Sequence, residues 1–359
     1  MKVCFVLTDL SGGGAEKAIL NISKELIQRG HIVNIILFRN NNEYNIPDGV
    51  LLTVLSNSPS FGWIGKRILA YQLSKAIKIL EKNGRFDTVV STLPLADEIS
   101  VLARLSNHWC RIANTLSVEI ERLSKNNIKK SQRRLNRYKN IYDGKKLIAV
   151  SDGVKTDLKR NIGLKEAKIK VIYNPFNFKQ IKKLSVESLN TPDTPYIVHV
   201  GRFSAQKRHD ILLDAYKNIH NSHKLVLLTN NHPKLIEMIK QRCLNDRVII
   251  AGFQKNPYPW ISNAQLLVLS SDHEGMPNVI IESLIVGTTV VSTDCPSGPK
   301  EILGQKFPQY LSPVNNSMTL SKIIDRALDN KPDMSSINLT KYQLEGSIDN
   351  YESLARSKK

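Results

Sequence analysis

The sequence predicts an α/β protein made of two Rossmann-like, doubly wound domains that face each other across a central cleft. Apolar, strand-like runs alternate with helical segments through most of the 359 residues. A glycine-rich loop follows the first strand of the chain, and a basic loop follows the first strand of its second half. Alternation of this kind builds parallel sheets that are covered by helices and bind ligands beyond the carboxyl ends of the strands.

Two series of strands define the two domains. The chain opens with a strand–loop–helix–strand unit, in which Ala15–Arg29 has apolar residues at helical spacing and Gly30 ends the helix. The predicted strands of the first half are Val3–Leu7, His31–Phe38, Asp87–Ser91, Lys146–Ser151 and Lys170–Tyr173. Those of the second half are Tyr196–Val200, Leu225–Leu228, Val248–Ala251, Leu266–Leu269 and Thr289–Ser292. The second series is almost continuously apolar, as expected for parallel strands covered on both faces.

The domain boundaries follow from the segments around these two series. Phe178–Thr194 is polar and has no apolar period, so we place a linker there and predict domains over 1–178 and 195–340. Apolar residues recur at helical spacing through Tyr342–Ala355. We therefore predict a C-terminal helical segment, 341–359, that packs back on the N-terminal domain.

Composition indicates a globular protein that remains in the cytoplasm and meets an anionic partner. Hydrophobic residues make up 41% of the chain, and the formal net charge is +19. There is no apolar run of about 18 residues that could span a membrane, and the N-terminus lacks the features of a signal peptide. The four cysteines are scattered, which predicts free thiols in a reducing compartment. The charge alone does not choose between nucleic acid, acidic lipid and phosphorylated small molecules.

The glycine-rich loop after the first strand is a candidate ligand site. It reads Ser11-Gly-Gly-Gly-Ala-Glu16 and enters a helix, where glycines let a ligand approach the backbone. A dinucleotide-binding loop needs glycine at position 17 and an acidic residue after the second strand, but the chain has Lys17 and Arg39 there. NAD binding is therefore not expected, and the loop is either a plain tight turn or a ligand-lining loop.

Charged residues in the second half also follow strands. Arg202 and Lys207 lie on one loop and could hold a diphosphate, although a solvated basic loop has the same appearance. Glu274 lies in a loop, and Glu282 lies about one turn into the helix that begins near Pro277. Two carboxylates placed in this way can bind different hydroxyl groups of one extended ligand, and the helix N-terminus can meet a phosphate.

Several function classes lack their motifs in this chain. There is no Asp-x-Asp pair, no His-Glu-x-x-His, no Gly-x-Ser-x-Gly and no Walker-type loop. We therefore predict no metal, no bound cofactor, and neither hydrolase nor ATPase activity. Nucleic acid is not an expected partner, because only Tyr138 and Tyr142 accompany the basic stretch Arg122–Lys146.

Taken together, the motifs resemble glycosyltransferase family 4, whose members have the GT-B fold, and the resemblance covers nearly the whole chain. The matching segments are GGAEKAILNISKEL, AVSDGV, VIYNPF, GRFSAQKRHDILLDAY and the long run from GFQKNPYPW to CPSGPKEIL. The last run is the most specific match. The resemblance implies an acceptor-side N-terminal domain and a C-terminal domain that binds the nucleotide sugar, which is a co-substrate.

The resemblance also implies roles for individual residues. Arg202 and Lys207 would bind the donor diphosphate, Glu282 the ribose hydroxyls, and Glu274 the transferred sugar. The remaining donor-site residues are Gly13, Gly14, Phe253, Gly275, Met276, Pro277, Asn278 and Val279. Of these roles, catalysis would fall to Arg202, Lys207 and Glu274. Glu16 and Asn114 are acceptor-side candidates, and Asn114 stands where many members have a histidine. Thr229-Asn230-Asn231 replaces a common Gly-x-Gly.

The activity implied is metal-independent transfer of a hexose or N-acetylhexosamine, with retention of anomeric configuration. The expected donor is UDP-linked, and the expected acceptor is a lipid-linked or lipopolysaccharide-type glycan of bacterial surface polysaccharide synthesis. The alternatives are a GT-B epimerase, a GT-B phosphorylase and a pseudoenzyme that only binds the sugar nucleotide.

A peripheral position on the inner face of the cytoplasmic membrane is also expected. Arg122–Lys146 contains ten cations and one acidic residue, Asp143. In Phe61–Leu80, aromatic and aliphatic residues stand beside Lys66 and Arg67. Apolar residues next to cations suit an anionic membrane surface. The apolar residues of that segment are Phe61, Trp63, Ile64, Ile68 and Leu69. The alternative is an ordinary amphipathic helix and a solvated charged face.

Overall fold

The computed structural model describes residues 1–11, 13–188 and 191–356 and divides the chain into two compact units. The first unit contains Met1–Pro175 together with Leu344–Lys359, and the second contains Phe176–Gln343. Gly12 of the glycine-rich loop, positions 189–190 of the predicted linker and the last three residues of the predicted C-terminal segment lie outside the described residues.

The first unit is built around a parallel sheet with strand order β3-β2-β1-β4-β5-β6-β7. Its strands are β1 (Lys2–Leu7), β2 (Ile32–Arg39), β3 (Leu51–Ser56), β4 (Thr88–Thr92), β5 (His108–Ile112), β6 (Lys146–Ala149) and β7 (Lys168–Val171). Its helices are α1 (Gly14–Gln28), α2 (Trp63–Leu80), α3 (Pro94–Leu102), α4 (Ser117–Asn126), α5 (Ile128–Tyr142) and α6 (Asp152–Thr156), and α6 continues into a π-helical turn at Asp157–Asn161. Side chains alternate across β1, so that Phe5 packs towards α1 and Val6 towards α2 and α3.

The second unit has a parallel sheet with strand order β10-β9-β8-β11-β12-β13. Its strands are β8 (Tyr196–Val200), β9 (Lys224–Leu228), β10 (Val248–Ile250), β11 (Leu266–Leu269), β12 (Val290–Thr293) and β13 (Leu311–Ser312). Its helices are α7 (Phe178–Ser185), α8 (His209–Lys217), α9 (Pro233–Gln241), α10 (Tyr258–Ser262), α11 (Asn278–Val286), α12 (Pro299–Leu303) and α13 (Ser317–Asn330). The strand order changes direction between β8 and β11, and ligands bind at such switch points in open α/β sheets.

The last helix, α14 (Leu344–Arg356), belongs to the first unit. Leu344, Ile348, Tyr351 and Leu354 recur at helical spacing and join the core on the α1 side of the sheet. Tyr351 packs edge-on against Phe5, with ring centroids 6.3 Å apart. Ion pairs from Arg29 and His31 to Glu352, at 3.3 and 2.9 Å, hold the outer face of the helix. The chain therefore completes the core of its first unit with its last turns.

Three features differ from the pattern read from the sequence. β3 and β5 are strands that the apolar pattern did not predict, because β3 is partly exposed and β5 contains His108 and Arg111. The predicted linker begins with α7, which Asn177 caps by accepting a hydrogen bond from the Gln180 backbone N–H at 2.9 Å. Only Ile181 of this helix is buried, so no apolar period marked it.

Candidate functional site

The loops after β8 and β11 form the centre of a site at the carboxyl edge of the second unit's sheet. The Asp272 backbone N–H donates to the Gln206 carbonyl at 2.9 Å, and the Gln206 side chain donates to the His273 carbonyl at 2.8 Å. The Ser270 hydroxyl donates to the Lys207 carbonyl at 2.8 Å. These three hydrogen bonds fasten the basic loop to the acidic loop, so the two loops are held in one geometry.

The predicted residues Lys207 and Glu274 form an ion pair at this centre. Lys207 Nζ donates to Glu274 Oε1 at 2.7 Å, and the two side chains are only 19% and 8% exposed. A side chain at Gly201 would meet the carbon stem of Lys207 at 3.1–3.3 Å, so glycine leaves room for that stem. Arg202, by contrast, is exposed. The structure therefore brings Lys207 to Glu274 and leaves Arg202 at the solvent edge of the same loop.

The helix α11 begins directly after Glu274 and directs its N-terminus at the same edge. Gly275, Met276, Pro277 and Val279 are buried, and Asn278 is half-buried. Gly298, with φ +107°, lies so close to Pro277 that an added Cβ would be 2.1 Å from its Cδ. The Glu274 backbone N–H donates to the Pro296 carbonyl at 3.1 Å. The turn Cys295–Gly298 therefore supports the loop that carries Glu274 and sets the start of the helix.

Glu282 and Phe253 lie on neighbouring elements. Glu282 is one turn into α11, is 7% exposed, and accepts a hydrogen bond from the Tyr258 hydroxyl at 3.2 Å. Phe253 follows β10 and is 47% exposed. Its backbone N–H donates to Asn230 Oδ1 at 3.2 Å, which joins the loops after β9 and β10. Asn230, which replaces a common glycine motif, thus has a defined structural contact.

The glycine-rich loop of the first unit is held by polar side chains. Asp9 accepts from the Ser11 hydroxyl at 2.6 Å and from Arg39 Nε at 2.6 Å. Burial opposes ionisation of Asp9, but these hydrogen bonds outweigh it and lower the pKa of the carboxyl group. The Tyr44 hydroxyl donates to the Gly13 carbonyl at 3.2 Å. The loop is therefore fixed from the end of β2.

Gly13 and Gly14 occupy different environments in this loop. Gly13 is buried, and an added Cβ would lie 2.1 Å from Glu16 Oε2, so the Glu16 carboxylate fills the space that a side chain would need. Gly14 is exposed and is the first residue of α1. Glycine at 13 thus has a structural reason of its own, whereas Gly14 leaves the helix N-terminus open to a ligand.

Asn114 lies at the carboxyl end of β5, just before α4. Its Oδ1 accepts a hydrogen bond from the Thr115 backbone N–H at 2.9 Å. The buried Asp157 carboxylate, from the π-helical turn, accepts from the Leu116 and Ser117 backbone N–H groups at 2.9 and 3.2 Å. Asp157 therefore caps the start of α4 and fixes the segment that contains Asn114.

The residues that support the site were not identified from the sequence. In the second unit these are Gln206, Tyr258 and Asp272, and in the first unit Asp9, Arg39 and Tyr44. One pair could have been found: β1 and β2 pair in parallel with Leu7 opposite Leu37, which places Asp9 opposite Arg39 just beyond. Among the residues that the structure describes, no three His, Cys, Asp or Glu side chains gather into a metal-binding group. Metal independence remains a prediction.

Comparison with known proteins identifies the family. The sequence model described as Glycosyltransferase Family 4 matches residues 12–180, and that described as Glycosyl transferases group 1 matches residues 180–343. Together they span both units. The chain belongs to the family 4 type of glycosyltransferases, and it is an enzyme of that class.

Individual relatives and structures agree with this assignment. The chain is 28% identical over 325 residues to the N-acetylgalactosamine-N,N'-diacetylbacillosaminyl-diphospho-undecaprenol 4-alpha-N-acetylgalactosaminyltransferase of Campylobacter jejuni, covering 89% of this chain and 88% of that protein. It is 31% identical over 166 residues to the lipopolysaccharide 1,6-galactosyltransferase of Escherichia coli, covering 44% and 45% of the two chains. Anabaena HepE, solved in complex with UDP and glucose, has a TM-score of 0.73 at 21% identity, over 99% of this chain and 100% of that one. The fold is GT-B, as predicted.

Proposed function

We propose that this enzyme transfers a hexose or N-acetylhexosamine from a UDP-linked donor to a glycan acceptor, with retention of anomeric configuration. The acceptor we propose is lipid-linked or of the lipopolysaccharide type, in bacterial surface polysaccharide synthesis. The names of the Campylobacter and Escherichia relatives support this acceptor class, and the UDP in the Anabaena complex supports the nucleotide.

The observation that carries the proposal is the Lys207–Glu274 ion pair beside the N-terminus of α11. A cation and the positive end of a helix dipole together favour a diphosphate. Glu274 places a carboxylate next to that position, where it can accept hydrogen bonds from sugar hydroxyls. Glu282, one turn further along the helix, is then within the reach of an extended donor for its ribose.

The proposed reaction needs no nucleophile from the protein. As the glycosidic bond breaks, charge develops on the leaving diphosphate, and Lys207, Arg202 and the helix N-terminus stabilise it. The acceptor hydroxyl attacks from the face that the diphosphate leaves, and its proton passes to the leaving phosphate oxygen. On this account Gly14 and Gly13 serve the donor from the N-terminal loop, and Glu16 and Asn114 serve the acceptor.

Donor binding is tested by thermal shift with UDP, GDP, ADP and their common sugars. We expect one nucleotide series to raise the melting temperature, since a ligand at 100 times its Kd stabilises the native state by about 2.7 kcal/mol. Glu282→Ala should weaken that binding by about 10–100-fold, because hydrogen bonds to a carboxylate contribute about 1.5–3 kcal/mol.

Glu237→Ala is the matched control, because Glu237 lies on α9 of the same unit and contacts only Gln241, its neighbour one turn along, at 2.9 Å. It should leave the shift unchanged. Absence of a shift with every nucleotide would remove the donor assignment. Equal shifts for wild type and Glu282→Ala would remove the ribose role while leaving the donor site in place.

We further propose that the first unit docks on the anionic inner face of the cytoplasmic membrane. Trp63, Ile64, Ile68 and Tyr71 of α2 are 53–72% exposed on one side of a helix that contains no acidic residue. Leu69, also expected on this face, is instead buried at 2%, and Lys66 pairs inward with Glu98 at 2.8 Å. The exposed side chains therefore form a narrower apolar stripe than the sequence indicated.

The cations of α5 lie on the same side of the sheet as this stripe. Glu98 of α3 binds Lys66 of α2 and Arg137 of α5, so the two helices flank α3. The exposed cations here are Arg122, Lys125, Lys129, Lys130, Arg133, Lys139 and Lys145. We call the exposed stripe of α2 together with these cations the α2–α5 face. Apolar insertion and attraction to anionic headgroups act together on such a face.

Vesicle flotation tests the α2–α5 face. The protein should float with phosphatidylglycerol-containing vesicles at low salt and much less with phosphatidylcholine vesicles. Trp63→Ser/Ile64→Ser should weaken binding by about 10–100-fold, because each buried apolar side chain contributes about 1.5–3 kcal/mol. Ile236→Ser/Met318→Ser removes comparably exposed apolar side chains from the second unit and should have no effect. Binding that ignores both salt and the α2 substitutions would contradict the proposal. Among the described helices, none is long and apolar enough to cross the bilayer.

A further inference from the structure

Arg208 follows Lys207 directly and has an unusual backbone conformation. Its φ and ψ are 48° and 54°, in the left-handed region that glycine occupies without strain. For a residue with a long side chain this conformation costs about 1–2 kcal/mol. The position is the entry to α8, where the Leu212 N–H donates to the Arg208 carbonyl at 3.1 Å. Glycine would serve the backbone better, so the guanidinium group must provide something that offsets the strain.

The guanidinium group of Arg208 connects the ends of three strands. It donates to both oxygens of Asp210, at 2.7–3.2 Å, on its own helix. It also donates to Asp272 Oδ1 at 2.8 Å, in the loop after β11, and to the side chain of Asn315, in the loop after β13. The Arg208 side chain is 20% exposed, so these charge-assisted bonds are partly shielded from water.

Asp272 is two residues from Glu274, and Arg208 is adjacent to Lys207. The contact between Arg208 and Asp272 therefore spans the same two loops as the Lys207–Glu274 pair. The backbone bond from Asp272 to Gln206 runs in parallel with it. A lysine side chain has four rotatable bonds, so its direction depends on how firmly its backbone is held.

We infer that Arg208 is a positioning residue, which holds the Lys207 loop against the Asp272–Glu274 loop so that the Lys207 ammonium group stays directed at the donor diphosphate. The inference rests on the proposed donor site. Arg208 itself does not contact the donor in this account. Its bond to Asp272 is the effective one, and its bonds to Asp210 are local to the start of α8.

The test compares Arg208→Gly with Asp272→Ala, Asp210→Ala and Arg242→Ala. Arg208→Gly removes both the guanidinium group and the backbone strain, so the fold should be kept. Arg242→Ala is the matched control, since Arg242 pairs with Asp214 at 2.7 Å and is 18% exposed, far along the chain from the site loops. Arg208→Gly and Asp272→Ala should each weaken binding of the nucleotide diphosphate by about 10–100-fold, as expected when a positioned cation is released. Their effects should not add in the double variant, because both remove one contact. The donor KM should rise while the acceptor KM is unchanged.

A second measurement does not depend on the donor. Reductive methylation of Lys207, followed by mass spectrometry in the free protein, should be about tenfold faster in Arg208→Gly, since an opening that is 1.4 kcal/mol easier is ten times more populated. Unchanged labelling of Lys207, or equal effects of Asp210→Ala and Asp272→Ala on the donor, would overturn the inference. If the wild type binds no nucleotide but Lys207 labelling increases as expected, the proposed function fails and the positioning role stands.

Discussion

Lys207→Met is expected to lower kcat/KM for sugar transfer by about 10²–10³-fold, which is the usual effect of removing one stabilising group from a developing anion. Methionine keeps the carbon stem that packs against Gly201 and removes only the charge. Because the charge on the diphosphate grows as the glycosidic bond breaks, the loss should appear in kcat as well as in donor KM. Steady-state kinetics with the donor found by thermal shift measures both.

A double-variant cycle separates two reasons for such a loss. Lys207→Met also leaves Glu274, whose side chain is 8% exposed, without its cation. If Lys207 served only to neutralise that carboxylate, then Glu274→Gln would restore activity to Lys207→Met. We expect no restoration, because Glu274 is assigned to the transferred sugar and its loss should be harmful on its own. Lys217→Met, in the last turn of α8, is the control for a lost exposed cation. Recovery in the double variant would contradict the catalytic role of Lys207.

Strand prediction succeeded where burial is complete and failed where a buried strand carries polar side chains. Tyr196–Val200 and Leu266–Leu269 were predicted at their observed bounds because both are continuous apolar runs. β5 was missed because it contains Arg111, which is fully buried. Its guanidinium donates to Thr92 at 3.2 Å and to Asn174, which follows β7. A strand that buries a charge is recognisable only when its distant partners are known.

The site shows the same division. Residues in one loop, such as Lys207, and the helix that places Glu282 could be found from the sequence, because spacing along one element fixes their side of the sheet. The ion pair from Lys207 to Glu274 spans 67 positions. Contacts of this range depend on loop conformation, including positive φ at Arg208 and Ser297, which no apolar pattern encodes. The supporting hydrogen bonds from Gln206 and Tyr258 belong to the same class.

A buried polar cluster in the first unit leads to a prediction about stability. The Ser91 hydroxyl donates to Asp97 Oδ1 and lies 2.8 Å from His108 Nε2, and the Tyr142 hydroxyl donates to Asp97 Oδ2 at 2.9 Å. Since Ser91 gives its proton to Asp97, His108 must donate from Nε2 to Ser91. Ser91 and Asp97 are both fully buried, so these residues, although of the types in a hydrolytic triad, meet no substrate.

The two titratable groups of this cluster have shifts with opposite effects on stability. Burial raises the pKa of Asp97 from 3.8 to about 7, so the folded state keeps a proton that the unfolded state loses, and stability falls as the pH rises through that window. Burial lowers the pKa of His108 from 6.5 to about 4, so the unfolded state binds a proton that the folded state does not, and stability rises with pH in that window. Between pH 4 and 6.5 the two trends oppose each other.

Substitutions that remove one group at a time should expose these trends. Between pH 5 and 7, Asp97→Asn should gain about 3 kcal/mol of unfolding free energy relative to wild type, because two pH units correspond to that amount per group. Between pH 5 and 6.5, His108→Gln should lose about 2 kcal/mol relative to wild type for the converse reason. Urea unfolding at closely spaced pH values measures both, and differences from wild type cancel all other titrating groups. Each variant carries a constant offset from altered hydrogen bonds, so the slope with pH is the informative quantity. Slopes equal to that of wild type would show that neither group titrates in the buried cluster, and slopes of the same sign would show that the assigned proton positions are wrong.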